Sequence, residues 1–144
     1  MFFPSNSYNS CKLSDSPNLV HFGDVVKLRI STFNYSNFQI LSPLNHDFRG
    51  ILYNNQAFAL KSQKKQFKPT SDQYLTFRSN LLMLVDQPTN WTFHRIHDNY
   101  DHMEFALNYD DFLWFQIGTR YMSLVGHTLH LLDQPIQAWQ IEKL

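Results

Sequence analysis

The sequence predicts an all-β domain, and three observations support this class. Apolar residues occur in short runs, most of them four to six residues long. Several runs alternate apolar and polar residues, as Val26 to Ile30 do, and a period of two is the pattern of a half-buried strand. No window keeps a helical apolar stripe for more than about two turns. We therefore expect strands along the whole chain.

Turn-forming residues separate these runs. Gly23, Asn54 and Asp110 lie in three of the gaps, and Gly, Asn and Asp favour turns because they accept unusual backbone angles or bond to their own backbone. The runs that we predict as strands span residues 19–22, 25–30, 37–41, 50–53, 57–61, 74–78, 81–85, 91–96, 103–107, 112–117, 121–125, 128–132 and 138–143. Twelve or thirteen short strands in one domain indicate a sandwich, a barrel or a trefoil.

Internal similarity helps to choose among these architectures. Residues 74–93 and 121–141 both begin with Tyr, continue with two apolar runs, reach Asp-Gln-Pro, and then a tryptophan, Trp91 or Trp139. A weaker third copy covers residues 19–40. Copies about 45 to 55 residues apart suggest threefold pseudosymmetry, because one such unit cannot bury its own apolar face.

The third copy has Phe38 where the other two have a tryptophan. Together the three copies predict a β-trefoil with three pseudo-repeats, and a Greek-key β-barrel or a sandwich is the alternative. We assign residues 19–144 to a single trefoil-like domain. Residues 1–18 are rich in Ser and Asn and read as a polar N-terminal arm.

Composition excludes several classes of protein. The chain has 144 residues, enough for one domain with a sizeable core, and its 13 Phe, 7 Tyr and 3 Trp can fill that core. Lys and Arg equal Asp and Glu at 12 each, so net charge does not indicate binding to nucleic acid. The single cysteine, Cys11, excludes an intramolecular disulfide framework. The N-terminus lacks signal-peptide features and no apolar run could span a membrane, so we expect an intracellular, cytoplasmic protein.

Short motifs resemble known trefoils. Residues 19–28 (LVHFGDVVKL) resemble the start of the trefoils at the N-terminus of inositol trisphosphate and ryanodine receptors and of MIR domains. Gln137-Ala138-Trp139 is similar to the Q-x-W of ricin-type lectin repeats, although Trp91 lacks the matching glutamine. The resemblance implies the trefoil fold. Trefoils include lectins, cytokines, protease inhibitors and docking domains, so the fold does not select an activity.

The two Asp-Gln-Pro turns are the most specific candidate ligand site. Asp86, Gln87, Asp133 and Gln134 could exchange hydrogen bonds with sugar hydroxyls beside an aromatic ring. The same residues also suit plain turns, since Asp bonds to its own backbone and Pro fixes φ.

A basic stretch is the candidate anion site. Lys61, Lys64, Lys65 and Lys68 surround Phe67 and could contact a phosphate, an inositol phosphate or a nucleic acid. A solvated loop is the alternative.

A second polar stretch contains possible metal ligands, but we predict no metal site. His94, His97, Asp98, Asp101 and His102 match no strict ligand spacing and have no cysteine nearby.

Signatures of catalysis are missing from the sequence. With four glycines, the chain has neither a glycine-rich phosphate loop nor a G-x-S-x-G elbow. We therefore expect no enzyme activity and no cofactor. The first functional hypothesis is a protein-interaction module, a small subunit or docking factor of a larger intracellular assembly. The second is a cytosolic carbohydrate-binding domain, and the third is anion contact through Lys61–Lys68.

Overall fold

The computed structural model describes residues 18–30, 33–63, 72–96, 105–109 and 111–144. These residues contain β-strands and no helix, which confirms the all-β prediction. The strands are β1 (Val25–Ile30), β2 (Phe33–Leu41), β3 (Ala57–Ser62), β4 (Tyr74–Arg78), β5 (Leu81–Val85), β6 (Trp91–Arg95), β7 (Leu113–Ile117), β8 (Arg120–Val125), β9 (Thr128–Leu132) and β10 (Trp139–Lys143).

Six of the strands close into a barrel. Going round it, each strand pairs antiparallel with the next in the order β1, β2, β3, β6, β7, β10 and back to β1. The hairpin of β4 and β5 is attached through β3, and the hairpin of β8 and β9 is attached through β7. Because the barrel is closed, each of its strands pairs with a barrel strand on both sides. The exposed edges of the described sheet are therefore β5 and β9.

The barrel core is built from alternate residues of its six strands, which is the expected period of inward-facing side chains. These twelve residues have exposures of 4% or less. They form the cross-strand pairs Val26–Phe38, Phe58–Trp91, Leu113–Trp139, Ile40–Leu60, Phe93–Phe115 and Leu28–Ile141. Burying each such side chain stabilises the fold by about 1.5–3 kcal/mol.

One aromatic ring lies at the centre of this core. The ring of Phe115 has its centroid 4.2 Å from that of Trp91, 5.0 Å from Phe93 and 5.6 Å from Trp139. Tilted and edge-on arrangements of this kind are the favoured geometries of aromatic pairs. Four phenylalanines and two tryptophans therefore fill the barrel interior: Phe38, Phe58, Phe93, Phe115, Trp91 and Trp139.

Three short segments that precede β1, β3 and β7 bond to one another in a cycle. The backbone N–H of Val20 donates to the carbonyl of Leu107 at 2.9 Å, Leu107 donates to Leu52 at 3.0 Å, and Leu52 donates to Val20 at 2.8 Å. The predicted strands at 19–22 and 50–53 lie here and form only isolated bridges. Each segment divides its hydrogen bonds between two partners, so neither pairing is long enough to make a strand.

Side-chain oxygens fix the turns at the ends of these segments. Each accepts a hydrogen bond from the backbone N–H three residues earlier, in the pairs Asp24–His21, Gln56–Tyr53 and Asp111–Asn108. The hydroxyl of Tyr109 also donates to Oδ2 of Asp24 at 2.5 Å. Burial, followed by the bond to this carboxylate, raises the pKa of Tyr109 well above its usual value. This bond joins the turn before β1 to the turn before β7.

Two buried tryptophans connect the outer hairpins to the barrel. Nε1 of Trp91 donates to the carbonyl of Leu75 at 2.9 Å, and Nε1 of Trp139 donates to the carbonyl of Met122 at 2.7 Å. Both indoles are 0% exposed. Each tryptophan therefore fills the core and also satisfies a backbone oxygen of its hairpin.

Residues 1–17 of the predicted N-terminal arm, including Cys11, lie outside the described residues, so the arm stays a prediction. Among the described residues, no helix has the length and apolar character needed to cross a membrane.

Candidate functional site

The two Asp-Gln-Pro turns lie on the surface. Asp86 and Gln87 follow β5, Asp133 and Gln134 follow β9, and all four residues are exposed. Oδ1 of Asp133 lies 3.5 Å from Nε of Arg120. Their exposure leaves these residues available to a ligand, but it is equally the property of an ordinary turn, and their role in binding stays a prediction.

The glutamine of the Q-x-W motif has a structural contact. The side chain of Gln137 accepts a hydrogen bond from the N–H of Leu124 at 2.7 Å and donates to its carbonyl at 2.9 Å. Both polar atoms of its amide are therefore bonded to β8. This contact favours a role for Gln137 in holding the hairpin, not in meeting a sugar.

Trp114 differs from the other two tryptophans because it is partly exposed. It lies on β7 between Leu113 and Phe115, both 0% exposed. Since successive side chains of a strand point to opposite faces, the indole projects from the outer surface of the barrel. Among the three tryptophans, Trp114 alone is therefore accessible to a ligand.

Two further rings flank this indole and form, with it, a surface cluster that we call the aromatic patch (His94, Trp114 and Tyr121). The imidazole of His94 on β6 stacks on the indole, with centroids 5.4 Å apart and planes 10° apart. The ring of Tyr121 on β8 meets it edge-on at 5.8 Å. Nδ1 of His94 also lies 3.1 Å from Oδ1 of Asn55, which holds the imidazole in place.

The predicted turn residue Asp133 is near Tyr121 in the strand pairing but does not belong to the aromatic patch. Tyr121 is paired with Leu132, so Arg120 and Asp133 are the next residues along β8 and after β9. The guanidinium of Arg120 donates to the carbonyl of Leu131 at 2.8 Å and lies 3.5 Å from the Asp133 carboxylate. Because successive side chains of a strand point to opposite faces, Arg120 lies on the face of β8 that carries Met122, opposite to Tyr121.

The chemistry of the aromatic patch suits a ligand that has both apolar and hydroxyl groups. The aromatic rings offer an apolar face, and the hydroxyl of Tyr121 can donate or accept a hydrogen bond. Sequence reasoning missed Tyr121, and it considered His94 only as a metal ligand. No local sequence signal could have joined them, because the grouping depends on the pairing of β6, β7 and β8.

The predicted anion site is described only at its first residue. Nζ of Lys61 lies 3.5 Å from Oδ1 of Asp72, which offsets part of its charge. Lys64, Lys65 and Lys68 lie outside the described residues. Anion binding through this stretch stays a prediction.

Of the possible metal ligands, His94 alone lies in the described part of the chain, and it belongs to the aromatic patch. No group of three or more His, Cys, Asp or Glu side chains among the described residues could hold a metal ion.

One acidic residue lies between two cations on the outer side of the barrel. Oε2 of Glu142 accepts a hydrogen bond from Nη1 of Arg29 at 2.8 Å, and its Oε1 lies 3.2 Å from Nζ of Lys27. The hydrogen bonds from Arg29 and then Lys27 lower the pKa of Glu142 below its usual value. This cluster links β1 to β10, and we expect the stability of the fold to depend on pH through Glu142.

No protein-family model matches the sequence, and neither the curated proteins nor the solved structures include a match.

Proposed function

We propose that this chain is a non-catalytic carbohydrate-binding module with the β-trefoil fold. The binding surface is the aromatic patch. The observation that carries the proposal is the exposure of Trp114 on the outside of the barrel, next to Tyr121, while Trp91 and Trp139 are fully buried.

Matching registers at three places round the barrel support the trefoil assignment. Val26–Phe38, Phe58–Trp91 and Leu113–Trp139 pair within three consecutive parts of the chain, residues 25–41, 57–95 and 113–143, the last two of which begin earlier than the copies proposed from the sequence. The pairs Ile40–Leu60, Phe93–Phe115 and Leu28–Ile141 join these parts to one another. The cyclic hydrogen bonds of Val20, Leu52 and Leu107 repeat with the same order. Threefold pseudosymmetry accounts for both patterns with one unit.

A sugar fits the proposed surface because one side of a pyranose ring presents C–H groups and its rim presents hydroxyls. The C–H groups can pack on the indole of Trp114 and the ring of Tyr121, and the hydroxyl of Tyr121 can exchange a hydrogen bond with a sugar hydroxyl. A hexose has about 12 non-hydrogen atoms, and at about −0.3 kcal/mol per atom its binding free energy is about −4 kcal/mol. The expected Kd for one sugar is therefore about 1 mM.

A glycan array followed by calorimetric titration tests the proposal. The array, read at high protein density, selects the sugar, and titration then compares the wild type with Tyr121→Ala and Asp133→Ala. The first variant removes a ring of the aromatic patch, and the second changes an exposed turn residue outside the patch. We expect Tyr121→Ala to weaken binding about tenfold and Asp133→Ala to leave it within about twofold.

Two results would overturn the carbohydrate proposal. One is the absence of saturable binding to any glycan on the array. The other is a loss of affinity in Asp133→Ala as large as that in Tyr121→Ala, which would assign the site to the Asp-Gln-Pro turns and not to the aromatic patch.

Protein interaction is the second candidate, and one surface favours it. Leu81 is 64% exposed and Val125 is 44% exposed, at the ends of the two outer hairpins. Both outer hairpins and Phe33 line a shallow apolar depression between them. A native pull-down with Leu81→Glu should lose stoichiometric partners if this surface docks a protein. Leu44→Glu, at a position that is 98% exposed, is the control. Partners retained by Leu81→Glu would exclude this surface.

A further inference from the structure

A cavity of about 360 Å³ lies between β2 and the hairpin of β4 and β5, away from the aromatic patch. Six of its eight lining residues are apolar or aromatic: Tyr35, Phe38, Leu75, Leu82, Met83 and Leu84. The other two, Asn34 and Ser62, are polar and uncharged. The volume lies in the lower part of the ~300–1000 Å³ range of small-molecule sites.

The cavity has a physical cause in the length of the chain before Phe38. Five residues, 33–37, join the start of β2 to Phe38, whereas ten residues, 81–90, join the start of β5 to Trp91. Phe38 and Trp91 hold corresponding places in the barrel, each paired with an inward residue of the preceding barrel strand. The linker that carries Asp86 after β5 thus has no counterpart before Phe38. The short connection leaves space beside Phe38 that one side of the β4–β5 hairpin borders.

The shape of β2 at this point agrees with that interpretation. Asn37 has a φ of +70°, in the left-handed region, and the register between β1 and β2 shifts between Val26 and Lys27. The bulge lets β2 pass from its hairpin section into the barrel without a longer linker. The cavity is therefore a consequence of how this unit is built.

We propose that this cavity binds a small, uncharged molecule that combines an apolar ring with a hydrogen-bonding group. The class follows from the lining. A charged ligand would meet no opposite charge among the lining residues, whereas a hydroxyl or an amide can be satisfied by Asn34 or Ser62. This site lies beyond the proposed carbohydrate surface and does not depend on it.

A direct binding test uses 2-naphthol as the probe. Methyl and amide NMR spectra of the full chain are followed while 2-naphthol is added, with naphthalene-2-sulfonate as a charged analogue of the same ring. We expect saturable shifts at Leu82, Met83 and Leu84 with 2-naphthol, and affinity at least about tenfold weaker for the sulfonate.

A filling substitution and its matched control complete the test. Leu84→Trp places an indole in the cavity and should weaken 2-naphthol binding by about tenfold or more, because the space is occupied. Leu81→Trp makes the same change on the same strand at a position that does not line this cavity, and binding should stay within about twofold. If Leu84→Trp fails to fold, Met83→Trp makes the same test.

Three results would overturn the proposal: no saturable binding of 2-naphthol, equal binding of the sulfonate, or undiminished binding in a folded filling variant. The Tyr121→Ala variant separates this site from the carbohydrate surface, because Tyr121 belongs to the aromatic patch and does not line the cavity. It should bind 2-naphthol as the wild type does, whatever it does to sugar binding.

Discussion

Replacing Trp139 by Phe should destabilise the fold strongly, and the structure provides the magnitude. The indole is 0% exposed and its Nε1 donates to the carbonyl of Met122 at 2.7 Å. Phenylalanine has no donor, so a buried backbone oxygen loses its partner at a cost of about 1–3 kcal/mol. The smaller ring also leaves a void next to Phe115, which costs about 1–2 kcal/mol more. Together we expect a loss of about 3 kcal/mol.

Urea unfolding followed by far-ultraviolet circular dichroism measures this loss without relying on tryptophan emission. With a slope of about 2 kcal/mol per molar urea, the midpoint should fall by about 1.5 M. Trp91→Phe should fall similarly, because Nε1 of Trp91 makes the equivalent bond to Leu75.

Trp114→Phe is the matched control for this prediction. Its ring is partly exposed on the outer face of β7, so the loss should be below about 1 kcal/mol. Two results would contradict the stabilising role of the buried Trp139 indole. One is a urea midpoint of Trp139→Phe within about 0.3 M of the wild type, and the other is a fall in midpoint for Trp114→Phe as large as that for Trp139→Phe.

Three other changes test the turns and the charges by the same urea assay. Tyr109→Phe removes the bond to Asp24 and should cost about 1.5–3 kcal/mol, whereas no change in midpoint would exclude a stabilising role for this bond. The lowered pKa of Glu142 means that its ion pairs stabilise the fold at pH 7 and lose this effect as the pH falls through the folded-state pKa. The wild type should therefore exceed Glu142→Gln in stability at pH 7 and lose that advantage by pH 3, and an advantage kept at pH 3 would contradict this assignment. Gly23→Ala should lower the free energy of unfolding more than Gly126→Ala does. Both glycines have positive φ, but only the new Cβ at position 23 would lie 2.4 Å from a side-chain atom of Arg49. Equal losses of stability would contradict the importance of this contact.

Alternation and turn residues predicted much of the strand content. The predicted runs at 74–78, 81–85 and 128–132 coincide with β4, β5 and β9, because each is a short hairpin strand bounded by turn residues. The runs at 19–22 and 50–53 have the same composition but form isolated bridges. Composition alone does not tell a strand from a segment that shares its hydrogen bonds between two partners.

The candidate site was harder to predict than the strands, and β7 illustrates the reason. Residues 112–117 (FLWFQI) are apolar at the first four positions, so a period of two cannot show which side chains face outward. The orientation is set by pairing of Trp114 with His94, twenty positions earlier. Neither the exposure of Trp114 nor its stacking on His94 is encoded in a local pattern, whereas the exposure of Asp133 followed from its turn.

The most direct test of the proposed function is a two-dimensional NMR titration of the three indole N–H signals with the sugar selected by the array. If the aromatic patch binds the sugar, the Trp114 signal shifts saturably. The signals of Trp91 and Trp139 stay in place because both indoles are buried and hydrogen-bonded. Saturable sugar binding that leaves the Trp114 signal unmoved would contradict binding at the aromatic patch.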